Sequence, residues 1–169
     1  MSVAPQAAPD QSTAAESAGA GATPLRRRQD RLAILARASL GSLEAAWDGL
    51  REKPRYRRLK PPETGLVMVR ARAGGTGQRF NLGELTVTRC VVALEPDGLM
   101  GVGYVQGRDK RKAELVALFD ALAQDPARSE AIETALIAPE RARLAGRRSA
   151  RAAKVAATKV DFFTLVRGE

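Results

Sequence analysis

Residues 84–94, with the sequence ELTVTRCVVAL, are the part of the chain that decides its fold. β-Branched and apolar residues dominate this stretch, and neither proline nor glycine interrupts it, so it predicts a strand. A turn with the sequence EPDG follows at residues 95–98, and residues 99–106 return as a strand dotted with glycine. Strands joined by so short a turn pair in an antiparallel sheet.

The sequence before this pair predicts further strands. Residues 64–73 (TGLVMVRARA) are rich in β-branched and apolar residues and end at a glycine-rich loop. Residues 56–60 indicate a short strand that Pro61 and Pro62 stop, and residues 79–82 indicate a short pairing segment before Gly83. We therefore expect an antiparallel sheet of about four strands in the middle of the chain.

Helical periodicity occurs on both sides of the sheet region. Before it, two apolar stripes separated by a break at Gly41 and Ser42 predict a helical hairpin that Pro54 closes. The stripes consist of Leu32, Leu35 and Ala36, then Leu43, Ala46, Trp47 and Leu50. The order of helices, strands and helices predicts an α+β fold.

After the sheet, Asp109 is placed to cap a helix whose apolar stripe runs from Leu115 to Leu122. A break at residues 125–126 and a short helix through Ile132 and Leu136 follow. Pro139 suits the first turn of a last helix that runs to about Thr158.

Residues 1–24 are rich in Ala, Ser, Thr, Gly, Gln and Pro and show no apolar periodicity. Such a segment buries too little surface to offset its chain entropy, so we expect a disordered N-terminal tail. Residues 25–169 are expected to form a single α+β domain.

The composition indicates a cytoplasmic protein with an aliphatic core. Hydrophobic residues make up 44% of the chain and aromatic residues only 4%. No run approaches the roughly 18–20 apolar residues that a membrane span needs. The N-terminus lacks a secretory signal pattern, since no apolar segment precedes Arg26.

Residue counts also restrict the chemistry of the chain. It has no histidine and one cysteine, Cys90, so it lacks the usual general base near neutral pH and the set of ligands for a closed zinc site or an iron–sulfur cluster. We expect no metal or cofactor to be bound by this chain alone. The net charge of +9 indicates polyanionic partners without choosing among nucleic acid, acidic proteins and phosphorylated small molecules.

The glycine-rich loop after residue 73 is the first candidate site. Glycines let a backbone approach an anion closely, and arginines on both sides can grip phosphate. The candidate contacts are Arg72, Gly75, Thr76, Gly77 and Arg79. The alternative is an ordinary hairpin loop with its arginines in solvent, since no Walker A sequence or dinucleotide fingerprint is present.

Thr88 and Arg89 form the second candidate site, because an arginine in an apolar strand needs a partner or faces a site. Glu84 or a bound phosphate could pair with Arg89; alternatively, the strand is an edge strand and Arg89 lies on its wet face. Cys90 alternates to the opposite face, which favours core packing over a nucleophilic role.

Two further candidates lie downstream. Arg108 precedes a helix start, where free amides favour an anion, although an ordinary turn with a capping aspartate explains the same pattern. The basic last helix and the residues after it contain typical interface anchors, or else a solvated face and a segment that completes the sheet. The candidate partner contacts there are Arg147, Arg148, Arg151, Phe162 and Phe163.

Taken as a series, these stretches resemble the PhnG family, the G subunits of the bacterial carbon–phosphorus lyase core complex. Order and approximate spacing match from about residue 25 to the end, whereas Arg31-Leu32 departs from the Trp-Met pair of the family's first helix. The matching blocks are ETGLV at 63–67, GGTG at 74–77, TVTR at 86–89, GRDK at 107–110, DAL at 120–122, LIAP at 136–139 and VDFFTLVRG at 160–168.

The resemblance implies a subunit of an enzyme that also contains subunits H, I and J. With H and I, the G chain would support transfer of an alkylphosphonate onto the ribose C1′ of ATP with loss of adenine. Subunit J would then break the C–P bond by radical chemistry with S-adenosylmethionine and an iron–sulfur cluster. A direct role of this chain would be electrostatic, with Arg72, Arg79, Arg89 and Arg108 steadying phosphate charge.

Two other readings compete with this one. A basic nucleic-acid-binding or general assembly module agrees with the charge, but no helix-turn-helix, RRM, KH or zinc pattern supports it. A free-standing enzyme is the poorest reading, because the sequence offers no acid–base or nucleophile constellation.

Overall fold

A computed structural model describes residues 23–73 and 76–158. The α+β prediction is confirmed, with helices on both sides of the sheet in the sequence and three strands in the sheet. The elements are α1 (Pro24–Leu35), α2 (Leu40–Asp48), β1 (Arg55–Arg72), β2 (Arg79–Glu95), β3 (Met100–Gln106), α3 (Lys110–Leu122), α4 (Pro126–Ile132), a π-helical turn (Glu133–Ile137) and α5 (Ala138–Ala157). The predicted tail of residues 1–24 lies outside the described residues, except that Thr23 caps α1 and Pro24 begins it.

The sheet is antiparallel, as expected, but its order β1-β2-β3 contains three strands rather than about four. The prediction that Pro61 and Pro62 stop a strand is wrong, because β1 continues through them to Arg72. Proline lacks the N–H that a ladder needs, and edge strands and bulges tolerate it. β1 is an edge strand, and its register with β2 shifts between Lys60 and Glu63 at these prolines.

The segment at residues 79–82 is likewise the start of one long β2 strand and not a separate element. A further register shift, between Val69 and Arg70 of β1, accommodates one extra residue of β2 near Gly83. Gly83 therefore lies inside a bulged strand instead of ending one.

Helix α3 covers one face of the sheet at very short range. An added Cβ at Gly101 or Gly103 of β3 would lie 1.9 Å from the carbonyl oxygen of Ala117 or Ala113, respectively. Glycine is the residue that permits such a backbone approach. The glycines in this strand are therefore explained by helix packing and carry no sign of a ligand site.

The core lies between this sheet face, α3 and the two N-terminal helices, and it is mainly aliphatic. Its aromatic members meet edge to face, with the ring centroid of Trp47 6.4 Å from those of both Tyr56 and Phe119. Such pairs contribute about 0.5–1.5 kcal/mol beyond their buried area. The predicted apolar positions Leu35, Leu43 and Trp47 are all buried here.

The break between the first two helices lies at residues 36–39, not at Gly41 and Ser42 as expected. Ser39 is the N-cap of α2, and its hydroxyl oxygen accepts a hydrogen bond from the Ser42 amide at 3.0 Å. A serine cap satisfies an amide that the helix start leaves free, and this stabilises a helix start at Ser39. The single glycine in the first turn, Gly41, does not prevent the helix from forming there.

Asp120 of α3 forms hydrogen bonds with both α1 and β3. Its buried carboxylate accepts hydrogen bonds from Arg28 Nη2 of α1 at 2.7 Å and from the Val102 amide of β3 at 3.0 Å. The second bond satisfies an amide at the free edge of the sheet. Two predicted helix starts are confirmed: Asp109 caps α3, and Pro139 lies in the first turn of α5.

Candidate functional site

The long hairpin of β1 and β2 extends beyond the rest of the sheet. β3 pairs with β2 from Val87 to Ala93, so residues 66–72 and 79–86 form a two-stranded ribbon, which we call the arm. At a strand rise of about 3.3 Å per residue, the arm is about 23 Å long. Large apolar side chains are exposed along it: Leu66, Met68, Phe80, Leu82 and Leu85.

The exposed apolar residues of the arm lie on both of its faces. Leu66 pairs with Thr86, two residues from the buried Thr88, and therefore belongs to the face that continues the core side of the sheet. Phe80 pairs with Ala71, on the opposite face. A two-stranded ribbon is marginally stable alone in water, and contiguous exposed apolar surface marks interaction sites. The arm is thus a surface suited to contact on two sides.

The tip of the arm is basic. Arg72 and Arg79 are direct cross-strand partners, and together with Arg70, Thr76, Gly77 and Gln78 they line an open recess of about 640 Å³. Like charges directly opposite each other repel, so a bound anion would stabilise this arrangement. The described part of the recess contains no carboxylate.

Gly77 shapes the turn at this tip. Its amide donates to the Ala73 carbonyl oxygen at 3.0 Å, and an added Cβ would approach that oxygen to 2.8 Å. Gly75, predicted as an anion contact, lies outside the described residues. The structure thus brings Arg72, Thr76, Gly77 and Arg79 together.

Thr88 and Arg89 lie elsewhere. Thr88 is fully buried, and its hydroxyl donates to the Gly107 carbonyl oxygen at 2.7 Å and lies 3.1 Å from the Thr64 hydroxyl. A ligand would have to displace one of these contacts. Arg89 is exposed and pairs with Glu63 at 3.3 Å rather than with Glu84.

Arg89 therefore lies on a wet face, as one of the two alternatives had it, but its strand is central and not at the edge, because β2 pairs with β1 on one side and with β3 on the other. Hydrogen bonds and charge from Lys60, and then from Arg89, lower the pKa of Glu63 below its ordinary value.

Arg108 is exposed and follows Gly107, whose amide donates to the Thr86 carbonyl oxygen at 2.9 Å. Arg79 and Arg89 are ten residues apart on one strand, which corresponds to about 30 Å. Arg89 therefore cannot bind the same small anion as the tip arginines, and neither can Arg108, because its neighbour Gly107 lies beside Thr86, about 20 Å along β2 from Arg79.

A second basic surface lies between α1, α3 and α5, and we call it the basic cleft. It measures about 950 Å³ and is lined by Ala36, Arg37, Gln106, Lys112, Leu144, Arg147, Arg148 and Arg151. Three of these arginines were predicted as partner contacts, whereas Arg37 and Lys112 were missed. Their participation depends on how α1 and α3 pack beside α5, and no local sequence signal reports that. Phe162 and Phe163 lie outside the described residues.

Buried carboxylates in the described residues serve structure. Glu114 accepts hydrogen bonds from Arg58 Nε at 2.6 Å and from the Tyr56 hydroxyl at 2.9 Å. Burial alone would raise the pKa of Glu114, but these hydrogen bonds and the positive charge of Arg58 and Arg111 hold it below its ordinary value. In the same way, burial opposes ionisation of Glu140, and Arg143 nevertheless lowers its pKa. These paired anions are poor proton acceptors near neutral pH.

Cys90 is buried on the core side, as predicted, and its thiol lies 3.4 Å from the Lys60 carbonyl oxygen. Burial, with a further contribution from the charge of Glu114, raises the pKa of this thiol to about 11. It is therefore protonated near neutral pH and unsuited to nucleophilic attack.

Within residues 23–73 and 76–158, no group of three or more Cys, Asp or Glu side chains is placed to hold a metal ion. None of the helices in these ranges is both long and apolar enough to cross a bilayer.

These features define a class: a basic α+β protein with open cationic surfaces, a projecting apolar arm and, in the residues described, no acid–base or nucleophile constellation. The family model described as "Phosphonate metabolism protein PhnG" matches residues 26–168. The chain belongs to this family, which confirms the resemblance seen in the sequence.

A relative with a PhnG name is similar to this chain over most of its length. The chain is 48% identical over 143 residues to the alpha-D-ribose 1-methylphosphonate 5-triphosphate synthase subunit PhnG of Rhizobium meliloti (strain 1021). The match covers 85% of this chain and 90% of that protein. The family match at residues 26–168 spans the residues of the arm, the basic tip and the basic cleft.

Proposed function

We propose that this chain is a non-autonomous subunit of a ribose 1-phosphonate 5-triphosphate synthase in phosphonate breakdown. With subunits H and I, it would support transfer of an alkylphosphonate onto the ribose C1′ of ATP, with adenine as the leaving group. Cleavage of the C–P bond would follow on subunit J. Membership of the PhnG family and the name of the relative support this assignment.

The exposed arm is the observation on which the subunit role depends. Leu66 and Phe80 leave apolar surface on opposite faces of a ribbon that only two strands hold together. Apolar contacts with a second chain on both sides would remove this surface from water and stabilise the ribbon. We therefore assign the arm to contact with a partner subunit in the assembly of G, H, I and J chains.

The contribution of this chain to the reaction would be electrostatic. Cations would hold the triphosphate and phosphonate anions in place while the bond from C1′ to adenine breaks and the bond from C1′ to a phosphonate oxygen forms. Arg72 and Arg79 at the tip, with Thr76 and Gly77, are the first candidates, because they share one recess without a carboxylate among its described lining. Arg89, about 30 Å from the tip along β2, and Arg108, next to Gly107 beside Thr86, would each act away from the tip.

Acid–base and radical chemistry are assigned to the other chains. This sequence has no histidine and one cysteine, and that cysteine is buried with a raised pKa. S-Adenosylmethionine and an iron–sulfur cluster would belong to subunit J, and ATP would be used by the assembled complex. We place this assembly in the cytoplasm.

Co-expression with tagged H, I and J subunits, followed by size-exclusion chromatography, tests the proposal. We expect the chain to elute with the other subunits and to be required for adenine release from ATP and methylphosphonate. Replacing Arg72 and Arg79 by glutamine is expected to leave co-elution intact and to slow adenine release. Failure to co-elute, together with salt-sensitive binding to random DNA, would favour the nucleic-acid-binding alternative.

A further inference from the structure

The basic cleft concentrates positive charge without compensation. Arg37 lies in the loop after α1, Lys112 lies in the first turn of α3, and α5 contributes Arg147, Arg148 and Arg151. Arg147 and Arg151 are four residues apart on one helix, a spacing at which like charges repel. No carboxylate is among the described residues of the lining.

The carboxylates whose charge acts on Lys112 already accept other hydrogen bonds. Asp109 accepts the Lys112 backbone amide at 2.8 Å as the cap of α3. Glu140 accepts two hydrogen bonds from Arg143, at 2.6 and 2.9 Å. Burial lowers the pKa of the Lys112 ammonium, Arg143 adds to this effect, and Asp109 and Glu140 oppose it. An anion in the cleft would favour the charged form of Lys112 and relieve the repulsion among the arginines.

We propose that the basic cleft binds a linear polyphosphate group of a small molecule. Guanidinium groups match phosphate oxygens in pairs, and Lys112 supplies a point charge from the facing helix. Cations spread over one turn of α5 and across the cleft suit several linked phosphates better than a single one. This inference rests on the proposed function, since the relative's name specifies a 5-triphosphate product.

Two other occupants fit less well. Nucleic-acid grooves combine cations with aromatic side chains that stack on bases, and the described lining of this cleft contains no aromatic residue. An acidic segment of a partner subunit would need apolar contacts as well as charge, and Ala36 and Leu144 supply few.

Calorimetric titration of the purified full-length chain with inorganic tripolyphosphate, pyrophosphate and orthophosphate tests the proposal. We expect affinity to rise with the number of linked phosphates and to fall at least tenfold in the double variant R147Q/R151Q. The matched control is R128Q/R141Q, which removes the same charge from arginines that pair with Asp125 and Glu133 outside the cleft. Its affinity for tripolyphosphate should stay within twofold of the parent.

Equal losses in both double variants, or no measurable tripolyphosphate binding by the parent chain, would overturn the inference. The same variants, co-expressed with H, I and J subunits, separate this outcome from failure of the proposed function. Loss of assembly in R147Q/R151Q with unchanged tripolyphosphate affinity would make the cleft a protein-docking site. Tight cleft binding by a parent chain that joins no complex would contradict the subunit role alone.

Discussion

Removal of apolar surface from the arm should weaken subunit assembly without unfolding the chain. Leu66 and Leu82 are 64% and 63% exposed. Full burial of a leucine side chain contributes about 1.5–3 kcal/mol, so covering the exposed part of each contributes about 1–2 kcal/mol. The double change L66T/L82T should therefore cost about 2–4 kcal/mol of binding free energy, a loss of about 30- to 1000-fold in affinity.

Threonine is chosen because it favours strands and keeps the arm in its conformation. The matched control is L25T/V155T, which alters two residues that are 66% and 64% exposed on α1 and α5. Each variant would be co-expressed with tagged H, I and J subunits, and the bound fraction would be measured by size-exclusion chromatography over a dilution series. The melting temperature of each isolated chain would be measured in parallel.

We expect the arm variant to dissociate at much higher protein concentration than the parent, with the control unchanged. Both isolated variants should unfold within about 0.5 kcal/mol of the parent, as exposed positions generally do. Assembly of L66T/L82T at parental affinity would refute the docking role of the arm. Equal weakening in the control would show that the effect is not specific to it.

Three further predictions concern the fold that holds these surfaces. Because the pKa of Glu114 is lowered in the folded chain, its ionisation stabilises the fold above the unfolded pKa, and this contribution is lost as pH falls below about 4.5. E114Q should therefore lower the free energy of urea unfolding at pH 7 by about 1–3 kcal/mol and flatten its decline in acid; an unchanged acid profile would contradict this. G103A should destabilise the folded chain by about 3 kcal/mol or more, since its Cβ would meet the Ala113 carbonyl oxygen. G65A has open space around its Cβ and should change the melting temperature little. Similar effects of the two substitutions would be inconsistent with the packing of α3. Cys90 should react with a thiol reagent at pH 8 much faster in denaturant than in the native chain, and rapid native labelling would argue against its burial and raised pKa.

The strands and helices were predictable where local signals were strong. The apolar run around Cys90 predicted the strand at residues 84–94, which forms most of β2, and the cap at Asp109 predicted the start of α3. The number of strands was not predictable from the sequence, because Pro61 and Pro62 end a strand only where the sheet needs the N–H groups that proline lacks. Their place on an edge strand at a register shift is a property of the assembled sheet.

The basic tip was predictable from the sequence. In the basic cleft, only the arginines of α5 were predicted. Arg72 and Arg79 flank one loop, so local spacing brings them together. The cleft joins Arg37 of the loop after α1, Lys112 of α3 and Arg151 of α5, which are distant in sequence, and only the packing of these segments makes one surface. Arg89 is a case in which the sequence suggested a ligand and the fold supplied a partner instead. Its position in an apolar strand indicated a bound anion, but the neighbouring strand β1 provides Glu63.

We expect this chain to support chemistry that other subunits perform. Adenine release from ATP and methylphosphonate, followed by liquid chromatography, tests it most directly with three samples: this chain alone, subunits H and I alone, and all of them together. We predict release in the third sample at a rate far above either of the others. Adenine production by the purified chain alone, or full activity of H and I without it, would contradict the claim.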